Sequence, residues 1–378
     1  MAALTEEQSL IRDQAKSWAG AEAPVQKFRE MRDAATEQRY TPATWQSMVE
    51  MGWTGILIPE EYGGSNLGFL TFGVVLEELG RQLTASPLFA SALVGASAVL
   101  LGGNREQQQA LLPGIVDGSE ILTLAVDESP RHAPLQTTLQ ATSTEAGFVL
   151  NGHKTFVLEG LAATQLVVVA RTAGAPGDAD GLSLLLVPTA AAGVNRDALS
   201  TVDSRGYANI SFTDVEVPSA ALLGELNDGY ALLQPLLDRA VAGLSADMLG
   251  TAAQAFDMTL EYLKTREQFG RVIGSFQALG HRAATLYSGL ELSRSCAEAA
   301  LQALDAQSDD TPQLCALAKC KVGDYLHEMS NQLIQIHGGI GMTDEFDAGF
   351  YLKRARVLAA TYGNQAFHRD RYATLLGF

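Results

Sequence analysis

The chain has 378 residues, 47% of them hydrophobic and 18% charged, enough for two or three domains with cores of their own. Its formal net charge of -17 excludes nucleic acid and anionic membrane as natural partners, because a broadly acidic surface repels polyanions. No stretch of about 18 apolar residues occurs, and the opening MAALTEEQSLIRDQAKSWAG is acidic with no apolar signal core, so a cytoplasmic protein without membrane insertion is expected.

Taken in chain order, residues 1–118 read as helical, with Ala, Leu and Gln at helical spacing over 68–84 and 105–112. Ser86-Pro87 opens a further helix, and GWTGILIPEEYGG (52–64) breaks the pattern with Gly and Pro. From about 119 the period changes. EILTLAVDE, TTLQATSTE, GFVLNGHKTFVLEG, QLVVVARTA, GLSLLLVPT and ANISFTDVEVP are short Val-, Leu- and Thr-rich runs parted by turn residues, with GAPGDADG (174–181) as a hairpin loop. Helical periodicity returns from about 226, over 228–264, 276–306, 312–337, 349–359 and 364–376. The fold class expected is α+β multidomain: an N-terminal helical domain (1–118), a middle β domain of barrel or sandwich form (119–225) and a C-terminal four-helix bundle domain (226–378).

Cys296, Cys315 and Cys320 have no His or further Cys at zinc-ligand spacing, so they read as structural thiols and no metal is expected. His281 and His327 read as satisfied structural histidines, and His337 as a packing residue. The segment TREQFGRVIGSFQALGH (265–281) is unusual: a basic, aromatic, glycine-marked turn between two long helices of an acidic protein. Arg266 offers a bidentate fork to a phosphate, Gln268 a polar contact, Phe269 an apolar surface and Gly270 the freedom to turn. In QIHGGIGM (335–342) the glycines let backbone N–H groups approach an anionic or hydroxylated ligand.

Four stretches in this order, GWTGILIPEEYGGSNLGF, LNGHKTFV, YLKTREQFGRVIGSFQ and IQIHGGIGM, resemble the signatures of the acyl-CoA dehydrogenase family, and the resemblance spans essentially the whole chain. It implies a flavoprotein that binds FAD, oxidises the Cα–Cβ bond of an acyl-CoA thioester and passes electrons to an electron-transfer flavoprotein. By the same resemblance Arg266, Gln268, Phe269, Gln277, Gln335 and Gly339 meet the adenosine and phosphate end of FAD across a subunit interface, in a homodimer or homotetramer. Val126, Asp127, Phe156, Leu158 and Asn364 fall at further cofactor positions, and Tyr362, Gly363 and Arg239 at substrate positions.

The chain also departs from the family pattern. LAVDES (124–129) stands where the family has Thr-Glu-Pro followed by Gly-Ser-Asp, and Phe156-Val157-Leu158 where it often has Trp-Ile-Thr. Glu128 is expected to be structural. Tyr362-Gly363 stands where many members carry the Glu-Gly of the catalytic base, and a phenol with an ordinary pKa near 10 is a poor base. Other members place that carboxylate before an Arg on the first long C-terminal helix, where this chain has Asp238-Arg239, so Asp238 is the expected base. Gly243, Ser245 and Gly250, further along that helix, serve either a bulky acyl chain or close helix packing. Two alternatives follow from the departures: a partner subunit with little chemistry of its own in a heterotetramer, resembling small-subunit-like members without the loop Glu, and another flavin oxidation on the same fold.

Overall fold

The computed structural model describes residues 4–378. Six helices come first: α1 (Glu6–Glu22), α2 (Val25–Ala34), α3 (Pro42–Glu50), α4 (Phe69–Arg81), α5 (Ala96–Gly102) and α6 (Arg105–Val116). Strands β1 (Leu122–Ala125), β2 (Gln140–Ser143), β3 (Gly147–Val157), β4 (Gln165–Arg171), β5 (Leu182–Pro188), β6 (Val194–Ala198), β7 (Ala208–Pro218) and β8 (Leu222–Leu223) follow. After them come α7 (Gly229–Thr265), a hairpin of β9 (Glu267–Gln268) and β10 (Arg271–Val272), then α8 (Gln277–Asp305), α9 (Thr311–His337), α10 (Ala348–Ala360) and α11 (Gln365–Leu375). The helix after Ser86-Pro87 differs from expectation in one respect, since it enters α5 through π-helical turns at Phe89–Gly95.

The residues form two compact units. One holds Glu30–Gly68 and Ala85–Ala240. Its sheet runs in the order β6-β7-β3-β2-β4-β5-β8, with β1 added in parallel beside β4. The path has two free ends, so the sheet is open and the barrel form is excluded. The ends explain this: β6 is a polar, mostly exposed strand paired only with β7, and β8 is two residues long. In the middle, Val167, Val168, Val169, Leu184 and Leu185 are fully buried, which is why β4 and β5 read as continuous apolar runs. The GAPGDADG loop joins them as expected, and the buried Arg171 guanidinium ties it by donating to Leu135 O, Asp178 O and Asp180 O at 2.9–3.0 Å.

The other unit holds Phe69–Thr84, Val241–Phe378 and the chain up to Arg29. Here α9 packs on α8, α10 and α11, and α4 on α1 and α8. Helix α1 starts on a capping box: Gln8 N donates to Thr5 Oγ1, and Thr5 N to Gln8 Oε1, both at 3.1 Å. Helix α4 starts on a carboxylate borrowed from the far end of α8, Asp305, which accepts from Phe69 N at 2.5 Å and Leu70 N at 3.0 Å. A Cβ at Gly250 would collide with the Glu77 carbonyl, so at that position the small residue serves close packing of α7 on α4. Cys315 is buried, Cys296 and Cys320 are half-buried, and none of the three forms a disulfide. His281 and His327 are exposed rather than built into the core, and His327 Nδ1 takes a 2.7 Å hydrogen bond from Arg356 at the surface.

Candidate functional site

The turn at 265–276 is a β-hairpin. Arg271 pairs with Gln268, leaving Phe269 and Gly270 as a two-residue loop with φ of +55° and +78°. Positive φ at both positions is the type I′ geometry that suits Asn-Gly, and an aromatic residue in the first position is strained. Phe269 is also 92% exposed, so its own burial does not offset that strain. Arg266, Gln268 and Gln277 are exposed as well. A second arginine that sequence reasoning passed over, Arg271, lies 4.0 Å above the Phe276 ring.

This hairpin meets the QIHGG segment through a residue the sequence did not single out. Tyr262, on the last turn of α7, stacks on His337 with ring centroids 4.3 Å apart, and its hydroxyl reaches His337 O at 3.4 Å. Arg266 N in turn bonds to Tyr262 O at 2.9 Å. His337 is buried and its Nδ1–H donates to Leu333 O at 2.8 Å, the packing role expected of it, and burial lowers its pKa. Gly338 ends α9 with φ +63°, and an added Cβ at Gly338 or Gly339 would meet open space. Gln335, Gly339, Ile340 and Met342 are exposed beside it. Exposed cationic, amide and apolar side chains thus flank a glycine-marked turn whose glycines face open space.

Tyr362 and Gly363 lie just beyond the end of α10. Their loop joins α10 to α11, with φ of +52° and +96°. Asn364, expected at the cofactor, is the N-cap of α11, its Oδ1 accepting from Phe367 N at 3.0 Å. Tyr362 and His368 are buried, and His368 Nε2 donates to Tyr362 O at 2.8 Å.

In the sheet unit, Val126 and Asp127 follow β1, and Phe156 and Leu158 sit at the end of β3. A register shift between Lys154 and Val157 turns Phe156 to φ +56° and lays its ring on Tyr207, with centroids 4.3 Å apart. Phe156 remains half-buried, while the Leu158 side chain is buried and its carbonyl accepts from Thr123 Oγ1 at 2.6 Å. Asp127 is held by a residue the sequence did not signal: His132 Nδ1 lies 2.9 and 3.1 Å from its two carboxylate oxygens. Glu128 accepts from Lys154 Nζ at 2.7 Å, Thr138 N at 2.7 Å and Leu139 N at 3.0 Å, a tether for the strands. Burial pushes Glu128 up, but Lys154 and these donors outweigh it and the net shift is downward. Burial brings Lys154 down to about 8.

Asp238 and Arg239 belong to the first turns of α7. Asp238 is 3% exposed. Arg239 is half-buried, and desolvation pulls its pKa below the usual guanidinium range. Among the described residues three bulky aromatic ones have φ > 0, namely Phe156, Phe269 and Tyr362, and each falls in a motif singled out from the sequence. Strain of about 1–3 kcal/mol at each is the kind that a functional constraint maintains.

The chain belongs to the acyl-CoA dehydrogenase family: models of its N-terminal, middle and C-terminal domains match residues 5–119, 131–216 and 227–376. Among relatives, the Bacillus subtilis (strain 168) protein named "Probable acyl-CoA dehydrogenase YngJ" is 30% identical over 374 residues, 97% of each chain. The acryloyl-CoA reductase (NADH) of Anaerotignum propionicum is 28% identical over 97% of this chain and 93% of its own. A chain in the structure of the ChsE4-ChsE5 complex from Mycobacterium tuberculosis superposes with a TM-score of 0.89 at 28% identity, covering 100% of this chain and 99% of that one. Among the described residues no helix is long and apolar enough to cross a membrane.

Proposed function

We propose that the protein is an FAD-dependent acyl-CoA dehydrogenase that removes an α-proton and a β-hydride from an acyl-CoA thioester. Family membership implies a flavin, and FAD, when bound, supplies the hydride acceptor. Arg266, Gln268, Phe269, Gln277, Gln335 and Gly339 would hold its adenosine and phosphate end, Arg266 through charge-assisted hydrogen bonds. Val126, Asp127, Phe156 and Leu158 would line the flavin end, Phe156 as a ring surface already backed by Tyr207.

Asp238 is the base, and the observation that carries the reading is a carboxylate buried to 3% exposure on the helix where the sequence expects it. The N–H groups of the Tyr362–Gly363 loop donate to the thioester carbonyl, so the enolate-like charge that develops on that oxygen meets a fixed donor. Arg239 adds a desolvated cation to the substrate side.

Lys319 and His337 stand eighteen residues apart on α9, about 27 Å along the axis. The adenosine-end residues cluster at the C-terminal end of that helix, while Lys319, which bonds the carbonyls before the thioester loop, sits about a third of the way along it. This separation supports the reading in which the hairpin and QIHGG end complete a neighbouring protomer's cofactor site in a homodimer or homotetramer. An electron-transfer flavoprotein is the proposed electron acceptor. Reconstitution with FAD followed by anaerobic titration with a panel of acyl-CoAs tests the activity: bleaching of the flavin by at least one of them is expected.

A second reading rests on Tyr362. With no carboxylate in the loop, the chain could serve as one subunit of a heterotetramer whose other subunit carries the base. The ChsE4-ChsE5 complex, one chain of which this chain is similar to, joins two differently named proteins, which supports keeping this reading. A flavin that stays oxidised with every acyl-CoA until a related subunit is co-expressed would select it.

A further inference from the structure

We propose that Lys319 and His368 are positioning residues that clamp the Tyr362–Gly363 loop from both sides and thereby set the direction of its backbone N–H groups toward a thioester carbonyl. The inference rests on the proposed function for the identity of the substrate and on the structure for the clamp.

Lys319 projects from α9 into the interior, 1% exposed. Its ammonium donates to Leu358 O at 2.9 Å and Ala359 O at 3.1 Å, carbonyls of the last turn of α10 that have no helical partner. Burial brings its pKa down to about 7. No Asp or Glu figures among the groups that shift it. A buried lysine without a carboxylate is costly, and an apolar side chain there would avoid that cost. What Lys319 does that an apolar residue cannot is fix the end of α10 directly before Thr361. Thr361 continues the restraint, with N and Oγ1 bonded to Val357 O at 3.1 and 3.0 Å.

From the other side, α11 folds back on the loop. Because Tyr362 O can only accept, the 2.8 Å bond places a proton on His368 Nε2. Gly363 lies against that ring: an added Cβ would be 2.9 Å from His368 Nε2 and 2.6 Å from Phe367 Cδ1. Asn364 closes the turn as the N-cap. The two left-handed residues are therefore tied at the carbonyls before them and at the carbonyl between them. Pre-organised donors of this kind matter when the oxygen they face gains charge in the transition state.

The test compares two ligands on the FAD-loaded protein, octanoyl-CoA and its thioether S-octyl-CoA, which lacks only the carbonyl oxygen. The wild type is expected to bind the thioester more tightly. Lys319→Met and His368→Leu should bring the two affinities together, by roughly tenfold in their ratio, while flavin occupancy and affinity for free CoA stay as they were. His368→Gln, whose amide N–H can replace Nε2–H, should restore the preference. Where Lys319→Met fails to retain flavin, the two His368 variants decide. A wild type with no preference for the thioester overturns the proposed function and this clamp together. A wild type that prefers the thioester, with both variants sharing that preference in full, overturns the clamp alone.

Discussion

Lys154 and Glu128 form an ion pair with Nζ 2.7 Å from Oε1, and the lysine side chain has no solvent exposure. The same ammonium donates to Val126 O at 3.0 Å, so one buried cation ties the end of β1 to β3 beside the expected flavin positions. Removing one partner leaves the other charge buried and alone. Lys154→Met should therefore cost about 3–5 kcal/mol of stability in urea unfolding. The Glu128 pKa is lowered in the folded state, so its contribution is present above the ordinary carboxylate range and is lost as pH falls through the folded value. Lys154→Met should accordingly flatten the acid limb of the stability curve, and an unchanged acid limb would show that the pair does not govern it.

Lys319 gives a slope of the same sign in a higher pH window. Its folded pKa is about 7 against 10.5 for an ordinary lysine. Between those values the unfolded chain holds a proton that the folded chain has released, so stability rises with pH across the window, at most by about 1.4 kcal/mol per unit. Above pH 10 the trend reverses, because burial raises the phenols of Tyr325 and Tyr351 and the unfolded chain loses those protons first. Lys319→Met should remove its share of that rise and leave the share of Lys154, whose folded pKa of about 8 lies in the same window. Unfolding free energies that fall with pH in the wild type over this window would contradict the assignment.

Function and local stability should separate at the hairpin. Phe269→Asn relieves the strain of an aromatic residue at φ +55° and should leave the protomer as stable or slightly more so. If Phe269 serves a neighbour's cofactor site, the same change should weaken FAD retention and shift sedimentation toward smaller species. Arg266→Ala should cost FAD retention roughly 1.5–3 kcal/mol, the scale of a charge-assisted hydrogen bond. Arg271→Ala provides the comparison, since that guanidinium is engaged with the Phe276 ring at 4.0 Å. Equal losses for both arginines in an apoprotein titration would mean that general positive charge, and not Arg266, holds the anion.

The long helices were legible because their signals are local. Pro312 opens α9 and Gly338 closes it, with one buried face between. Strands β4 and β5 were legible as apolar runs buried on both faces. Strand β6, VNRDA, was not, because a solvated edge strand has the composition of a loop, and β8, β9 and β10 are too short to show a period. At the candidate site the motifs were readable and their supports were not. Tyr262, His132, Lys319 and His368 act on residues brought near by folding. Lys319 alone left a trace: it lies in helical register with Cys315, Val322 and Leu326 on the buried face of α9, a charge where an apolar residue belongs.

The last prediction concerns Asp238. The ordinary alternative to a catalytic role is a structural ion pair or cap on α7. What raises it above that alternative is that the loop position at 362 holds a phenol in place of a carboxylate while this helix position holds one. Asp is one methylene shorter than Glu, so reach to the substrate Cα is the demanding requirement. Asp238→Asn keeps the shape and removes the base. It should leave FAD occupancy intact and reduce both α-proton exchange in deuterated solvent and flavin bleaching by an acyl-CoA, by about 100-fold or more, the scale of general base catalysis. Asp238→Ala should do the same at a larger cost in stability, because it leaves a void. Tyr362→Glu placed in the Asp238→Ala background should recover part of the exchange, since it returns a carboxylate to the loop that Lys319 and His368 hold. Near-full exchange in Asp238→Asn would remove Asp238 from the chemistry, and a wild type inert until joined by a related subunit would move the base to that partner.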